Sequence, residues 1–216
     1  MNVSQKHLMV LLLAKNSGER FFADYFGKFD FFYKEKPLES NYYCRLNDIS
    51  ESFQNYQKII CIDHPYRVVY QEFIKNSDIN WKIKTNTLEK QREDFSFWFD
   101  RIFYNDMDYL NDNCALYQLT FILSRDFAHI EPDFVIKKDS FLEDLKKLPF
   151  FDELKINHNL TFLLEPSMDY QKVISREQAK KIFVFFQDYF NKFGFDPFSF
   201  TTEELTKQEK VNFIHS

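Results

Sequence analysis

Two apolar stretches without polar alternation constrain this chain most: Leu8 to Leu13, and Lys58-Ile59-Ile60-Cys61-Ile62. A strand with one wet face alternates apolar and polar residues, whereas one covered on both faces does not. Each stretch stops at a short polar turn, and a helical pattern follows at once. Ala14-Lys15-Asn16-Ser17-Gly18 leads to Phe21, Phe22, Tyr25 and Phe26 at helical spacing, and Asp63-His64-Pro65 leads to Val68, Val69 and Phe73. Pro65 suits the first turn of a helix, where its missing amide proton has no intrahelical partner. Strand, loop and helix, repeated, predict an α/β fold: a single domain with a central, mostly parallel sheet flanked by helices.

The rest of the chain fits this plan. Phe29 to Tyr33 reads as a short second strand, and Phe134-Val135-Ile136 as another that feeds Asp139-Ser140 and a helix running through Leu148 to a stop at Pro149. Asp139 is placed to cap that helix. Phe95, Phe99, Ile102 and Phe103 form an aromatic stripe on a helix from about Asp94 to Tyr104, a core-packing pattern. Leu116 to Leu123 fits strand and helix equally. Ser175 with Gln178 three residues on forms a capping box, and Ile182, Phe183, Phe186, Tyr189, Phe190 and Phe193 make one face of a long helix that Gly194 ends. Residues 1–200 are read as the domain. Residues 201–216 are read as a polar, peripheral tail, since Glu203 to Lys210 holds only Leu205 as an apolar residue.

Composition narrows the partners. Lysine plus arginine number 28 against 33 aspartate plus glutamate, a net charge of −5, which argues against nucleic acid or an anionic membrane gripped by the whole surface. An anion site must then be a local patch. With 28 Phe and 12 Tyr beside 3 Gly and 6 Pro, the chain has a Phe-rich interior and is not low-complexity. Cys44, Cys61 and Cys114 are widely separated and include no CxxC pair for a metal or for disulfide exchange, so a reducing cytoplasm fits best. The apolar run from Leu8 to Ala14 has seven residues, far below the roughly 20 needed to span a bilayer. No small-x-small cleavage site follows it, so it reads as a strand rather than a secretion signal.

In a parallel sheet, ligands bind beyond the carboxyl ends of the strands. The amides of Lys15-Asn16-Ser17-Gly18 are suited to nest anionic oxygens, with Lys15 adding a full charge. Arg67 and Tyr70, three apart at the start of a helix, share a face on which a phosphate could sit. No GxxxxGK[ST] segment is present, so a nucleotide kinase or ATPase lacks its magnesium-holding loop and no metal site is expected.

The arrangement resembles the superfamily of sulfotransferases that use 3'-phosphoadenosine 5'-phosphosulfate (PAPS). Lys15-Asn16-Ser17-Gly18 is similar to that family's PKxxGT loop for the 5'-phosphosulfate, and Asp63-His64-Pro65-Tyr66-Arg67 to its RDPxxRxxS segment for the 3'-phosphate. Phe95-Ser96-Phe97-Trp98-Phe99 resembles the helix that follows. The segment from Phe134 to Phe141 with Asp144-Leu145 resembles the family's strand and acidic turn, and Val173-Ile174-Ser175 through Phe193-Gly194-Phe195 its final helix. The resemblance implies a P-loop-like sulfotransferase fold of carbohydrate type, with PAPS as sulfuryl donor and a hydroxyl-bearing small molecule or glycan as acceptor. Lys15, Asn16, Ser17, Gly18, Arg67 and Tyr70 would then bind the donor. Lys15 and the loop amides would stabilise developing oxyanion charge, and His64 would take the acceptor proton.

The sequence also departs from the pattern. Ala14 replaces the loop proline, Glu19 and Arg20 stand where small hydroxyl residues follow the glycine, and Asp63 takes the place of the first 3'-phosphate arginine. Aligned without a gap, Gln71 replaces the family's serine; with one residue deleted, Arg67 and Tyr70 fall on its RxxS, which keeps a cation and a hydroxyl on one face. Glu19 and Asp63 favour a second reading, a catalytically silent relative serving as a binding or assembly module.

Overall fold

The computed structural model describes residues 2–13, 25–26, 33–34, 53–76, 87–103, 127–154 and 170–215. The chain divides into two compact units where the length suggested one: Met1–His64 with His129–Ser167, and Pro65–Ala128 with Met168–Ser216.

The first unit carries a sheet of β1 (Asn2–Ser4), β2 (Met9–Leu13), β3 (Tyr33–Lys34), β4 (Gln57–Ile62) and β5 (Phe134–Lys137), in the order β3-β1-β2-β4-β5. The expected parallel arrangement is present in its three longest strands. β2 pairs with β4 in the register Leu11↔Ile59, and β4 with β5 in the register Ile60↔Val135. An antiparallel extension is added at one edge, where β1 pairs with both β2 and β3. Only the tight turn at Gln5 to Leu8 joins β1 to β2, and so short a link permits no parallel pairing. Leu8 closes that turn with a positive φ of 52°, its amide donating to the Gln5 carbonyl at 3.4 Å.

Met9, Leu11, Ile59, Cys61 and Ile136 face Tyr25, Phe26, Phe141, Leu145, Leu148, Phe150 and Leu154 in one apolar cluster. Val10, Leu12, Ile60 and Ile62, on the opposite sheet face, are buried as well. Burial on both faces is why β2 and β4 show no alternation in the sequence. After β5 the chain makes a 3-10 turn at Lys138–Ser140 and one short helix, here labelled α3 (Phe141–Leu145). This helix ends before Leu148, and Asp139 does not cap it. Ser140 occupies the N-cap position without a side-chain cap bond, and its hydroxyl instead donates to Asp144.

The described part of the second unit is helical: α1 (Pro65–Asn76), α2 (Leu88–Phe103), α4 (Tyr170–Val173), α5 (Arg176–Phe185), α6 (Gln187–Phe193) and α7 (Lys207–His215). Aromatic rings fill its core. Phe73 of α1 meets Phe95 edge-on at 5.3 Å and Trp98 at 5.5 Å, and Tyr66 lies 5.3 Å from Phe190 while its hydroxyl donates to the Pro197 carbonyl at 2.6 Å. The capping box forms, Gln178 N–H donating to Ser175 Oγ at 3.4 Å and Ser175 N–H to Gln178 Oε1 at 2.9 Å. The long helix expected after it breaks at Phe186 (φ −103°, ψ 19°) into α5 and α6, and Gly194 ends α6 at φ 61°. Beyond Thr201 the chain is not simply a frayed tail. α7 docks through Phe213, whose ring stacks on Phe200 at 5.3 Å and touches Phe183 and Phe198. Among the described residues no helix is long and apolar enough to cross a membrane.

Tyr25 and Phe26 of the expected first helix are described and helical, whereas the loop Ala14 to Gly18, Phe21 and Phe22, the strand residues from Phe29 to Phe32, and the segment Leu116 to Leu123 lie outside the described residues, as do Cys44 and Cys114.

Candidate functional site at the carboxyl ends of the parallel strands

The last rung between β4 and β5 pairs Ile62 with Lys137, so the next residue of each strand, Asp63 and Lys138, stands at the same end of the sheet. The side chains are 0% and 7% exposed, and Lys138 Nζ lies 3.9 Å from Asp63 Oδ2. The other carboxylate oxygen, Oδ1, accepts the His64 backbone N–H at 2.7 Å. A buried carboxylate and a buried ammonium each lose hydration worth several kcal/mol, and their attraction offsets part of that loss.

Asp144 organises the turn that presents Lys138. Its Oδ2 accepts the Lys137 amide at 2.9 Å and the Ser140 hydroxyl at 2.6 Å, and its Oδ1 accepts Lys147 Nζ at 2.6 Å. Burial works against ionisation of Asp144, and the bonds from Lys147, Ser140 and the Lys137 amide outweigh it, holding the carboxyl below the usual aspartate range. Burial first, and the negative charge of Asp144 second, push the Cys61 thiol well up, so Cys61 is a protonated core residue and not a nucleophile.

Of the residues assigned from the sequence, Lys15, Asn16, Ser17 and Gly18, together with Glu19 and Arg20, lie outside the described residues. His64 is 4% exposed at the end of β4. In the helical unit, Arg67 and Tyr70 both lie on α1 but have different surroundings. The Arg67 guanidinium carbon sits 6.0 Å from the Tyr170 ring centroid, within cation–π range. The Tyr70 ring is buried, 6.1 Å from Phe73 and 6.0 Å from Phe95, in the aromatic core of that unit. Gln71, the alternative to the family's serine, is buried too.

Sequence reasoning missed Lys138. A signal for it was present: with a period of two, Lys138 continues the face of Phe134 and Ile136, and Asp63 continues the face of Ile59 and Cys61. Opposite charges extending two inward faces of neighbouring strands are an ion pair legible in advance, once the strands are known to be adjacent.

No protein-family model matches the chain, and neither a curated protein nor a solved structure matches it.

Proposed function

We propose that the protein is a sulfotransferase moving a sulfuryl group from PAPS to a hydroxyl acceptor such as a carbohydrate. One observation carries this reading: β2 and β4 are adjacent and parallel, ending in register at Leu13↔Cys61. The two segments that resemble donor-binding loops therefore follow neighbouring strands, Lys15 two residues after β2 and Asp63 directly after β4. Ligands of open α/β sheets bind at that end. The Asp63–Lys138 pair removes one objection to donor binding, since the carboxylate that replaces the family's arginine is offset by an ammonium 3.9 Å away.

In this reading the acceptor oxygen forms its bond to sulfur as the bond from sulfur to the bridging phosphate oxygen breaks. The acceptor proton passes to His64, and 3'-phosphoadenosine 5'-phosphate departs. Lys15 and the amides after it stabilise charge on the transferring group.

A second reading, the silent relative, is favoured by a specific observation: the Tyr70 phenol is packed among Phe73 and Phe95. Calorimetric titration with 3'-phosphoadenosine 5'-phosphate separates the two. Saturable binding that is lost in Lys15→Ala and weakened in Arg67→Ala supports the enzyme. No binding to the wild-type chain rejects it.

A further inference from the structure

We propose that α7 is a releasable strap: it detaches as one piece while the other helices of its unit stay folded, and it thereby controls access to an aromatic socket. The strap's footprint is narrow. Phe213 is 2% exposed, whereas Lys207, Gln208, Lys210, Val211, Asn212 and Ile214 are all exposed. Segments that bury little apolar surface open locally at a lower free energy than the whole fold. A helix of nine residues is marginal by itself, so α7 melts once the Phe213 ring leaves its seat. Reclosing is built in. Thr206 and Glu209 form a capping box, Glu209 N–H donating to Thr206 Oγ1 at 3.3 Å and Thr206 N–H to Glu209 Oε2 at 2.9 Å. Residues 202–204, exposed and outside any helix, supply the hinge.

The seat does not depend on the strap. Phe213 stacks on Phe200 at 5.3 Å and meets Phe183 at 5.7 Å and Phe198 at 5.6 Å. Phe200 also meets Tyr66 at 6.1 Å, and Phe183 meets Phe190 at 5.4 Å, so both rings are backed by the core of the helical unit. The backbone carrying Phe198 and Phe200 is tied to other helices, since the Pro197 carbonyl accepts the Tyr66 hydroxyl at 2.6 Å and the Ser199 carbonyl accepts Gln171 Nε2–H at 2.8 Å. At the rim, Arg176 Nη1–H donates to Glu209 Oε1 at 3.2 Å and Nη2–H to the Glu209 carbonyl at 3.1 Å. Glu209 and Phe213 are four residues apart and share a helix face. The occupant the socket fits is therefore a helix with a carboxylate and, one turn on, a phenyl ring, and α7 fills it in the closed state.

The test opens the strap in the full chain and offers the helix back as a synthetic peptide of residues 201–216. Val211→Pro breaks α7 at an exposed position and leaves the socket rings untouched, and Phe213→Ala removes the anchor. Both isotope-labelled variants should keep their α5 and α6 amide signals and bind the peptide saturably, with shifts at the amides of Phe183, Phe198 and Phe200. A peptide carrying Phe213→Ala should not bind, and Arg176→Met in the opened chain should weaken binding several-fold. The wild-type chain should bind at least about tenfold more weakly, because its own strap competes. In wild-type hydrogen exchange, the amides from Lys210 to Ile214 should exchange together and well before those of α5.

Loss of the α5 and α6 signals in Val211→Pro would overturn the proposal, since α7 would then be integral to the unit. So would exchange of the α7 amides only in step with those of α5, or failure of both opened chains to bind the peptide.

Discussion

A double-mutant cycle on Asp63 and Lys138 tests whether the strand ends are built around this pair. At 3.9 Å and an effective dielectric near 20, the attraction between the two charges is about 4 kcal/mol. Asp63→Asn keeps an oxygen for the His64 amide but removes the charge facing the ammonium, and Lys138→Met keeps the aliphatic stem but removes the ammonium facing the carboxylate. Removing one partner of a buried pair costs about 3–5 kcal/mol, while removing both is often neutral. Each single variant is thus expected to lose about 3 kcal/mol or more, and the double variant to unfold within about 1 kcal/mol of the wild type. The coupling energy would then be at least about 4 kcal/mol, comparable to the attraction itself. Urea unfolding followed by far-UV circular dichroism reads it. Trp98 is the wrong reporter, since it lies in the helical unit. The coupling should persist at high salt, because buried pairs are poorly screened. Single effects that simply add, with a coupling below about 0.5 kcal/mol, would refute the reasoning: each charge would then be compensated without the other.

Two further outcomes follow from the packing and the charges. Phe213→Ala should cost about 3 kcal/mol in urea unfolding and remove amide-exchange protection across Lys207–His215, since the ring stacking on Phe200 and touching Phe183 anchors α7; unchanged protection would mean that α7 is held by something else. For Asp144, a carboxyl lowered in the folded state stabilises fully above its ordinary value near 3.9 and loses that contribution as pH falls below it toward the native value. The stability gap between wild type and Asp144→Asn should therefore be constant near neutral pH and narrow below about pH 4; a gap that widens on acidification would reverse the sign assigned here.

What the sequence made legible is what local patterns control. β2 and the Ile59–Ile62 part of β4 are readable because burial on both faces leaves no polar residue inside them, and α1 because Pro65 marks its start. The Ser175–Gln178 box was readable because its two bonds join residues three apart. Three features were not. The break at Phe186 interrupts a continuous apolar face that gave no sign of it. The docking of α7 depends on one ring in a polar segment finding Phe183, Phe198 and Phe200, and composition averages such a residue away. Capping after β5 was assigned to Asp139 from proximity, whereas the Asp144 carboxylate reaches back across the turn to the Lys137 amide and the Ser140 hydroxyl. Each depends on contacts that spacing alone does not encode. The same holds for the candidate site, since Asp63 and Lys138 are 75 residues apart, and only the pairing of β4 with β5 makes them neighbours.

That pairing changes the meaning of Asp63. Considered alone, an aspartate where an arginine is expected argues for lost anion binding, because it replaces attraction with repulsion at one point. In the folded chain the carboxylate is fully buried, and Lys138 delivers a positive charge to the same strand ends from the neighbouring strand. A buried aspartate at position 63 needs a cation beside it, and an arginine at 63 would make a buried lysine at 138 untenable through like-charge repulsion. The two positions therefore act as one unit whose sign must balance. A charge swap, Asp63→Lys with Lys138→Asp, should fold where either half of the swap alone does not, and it would move the ammonium from β5 to β4. Urea unfolding of the swap and of its two halves checks this: a swap less stable than both halves would show that the two positions are not balanced against each other.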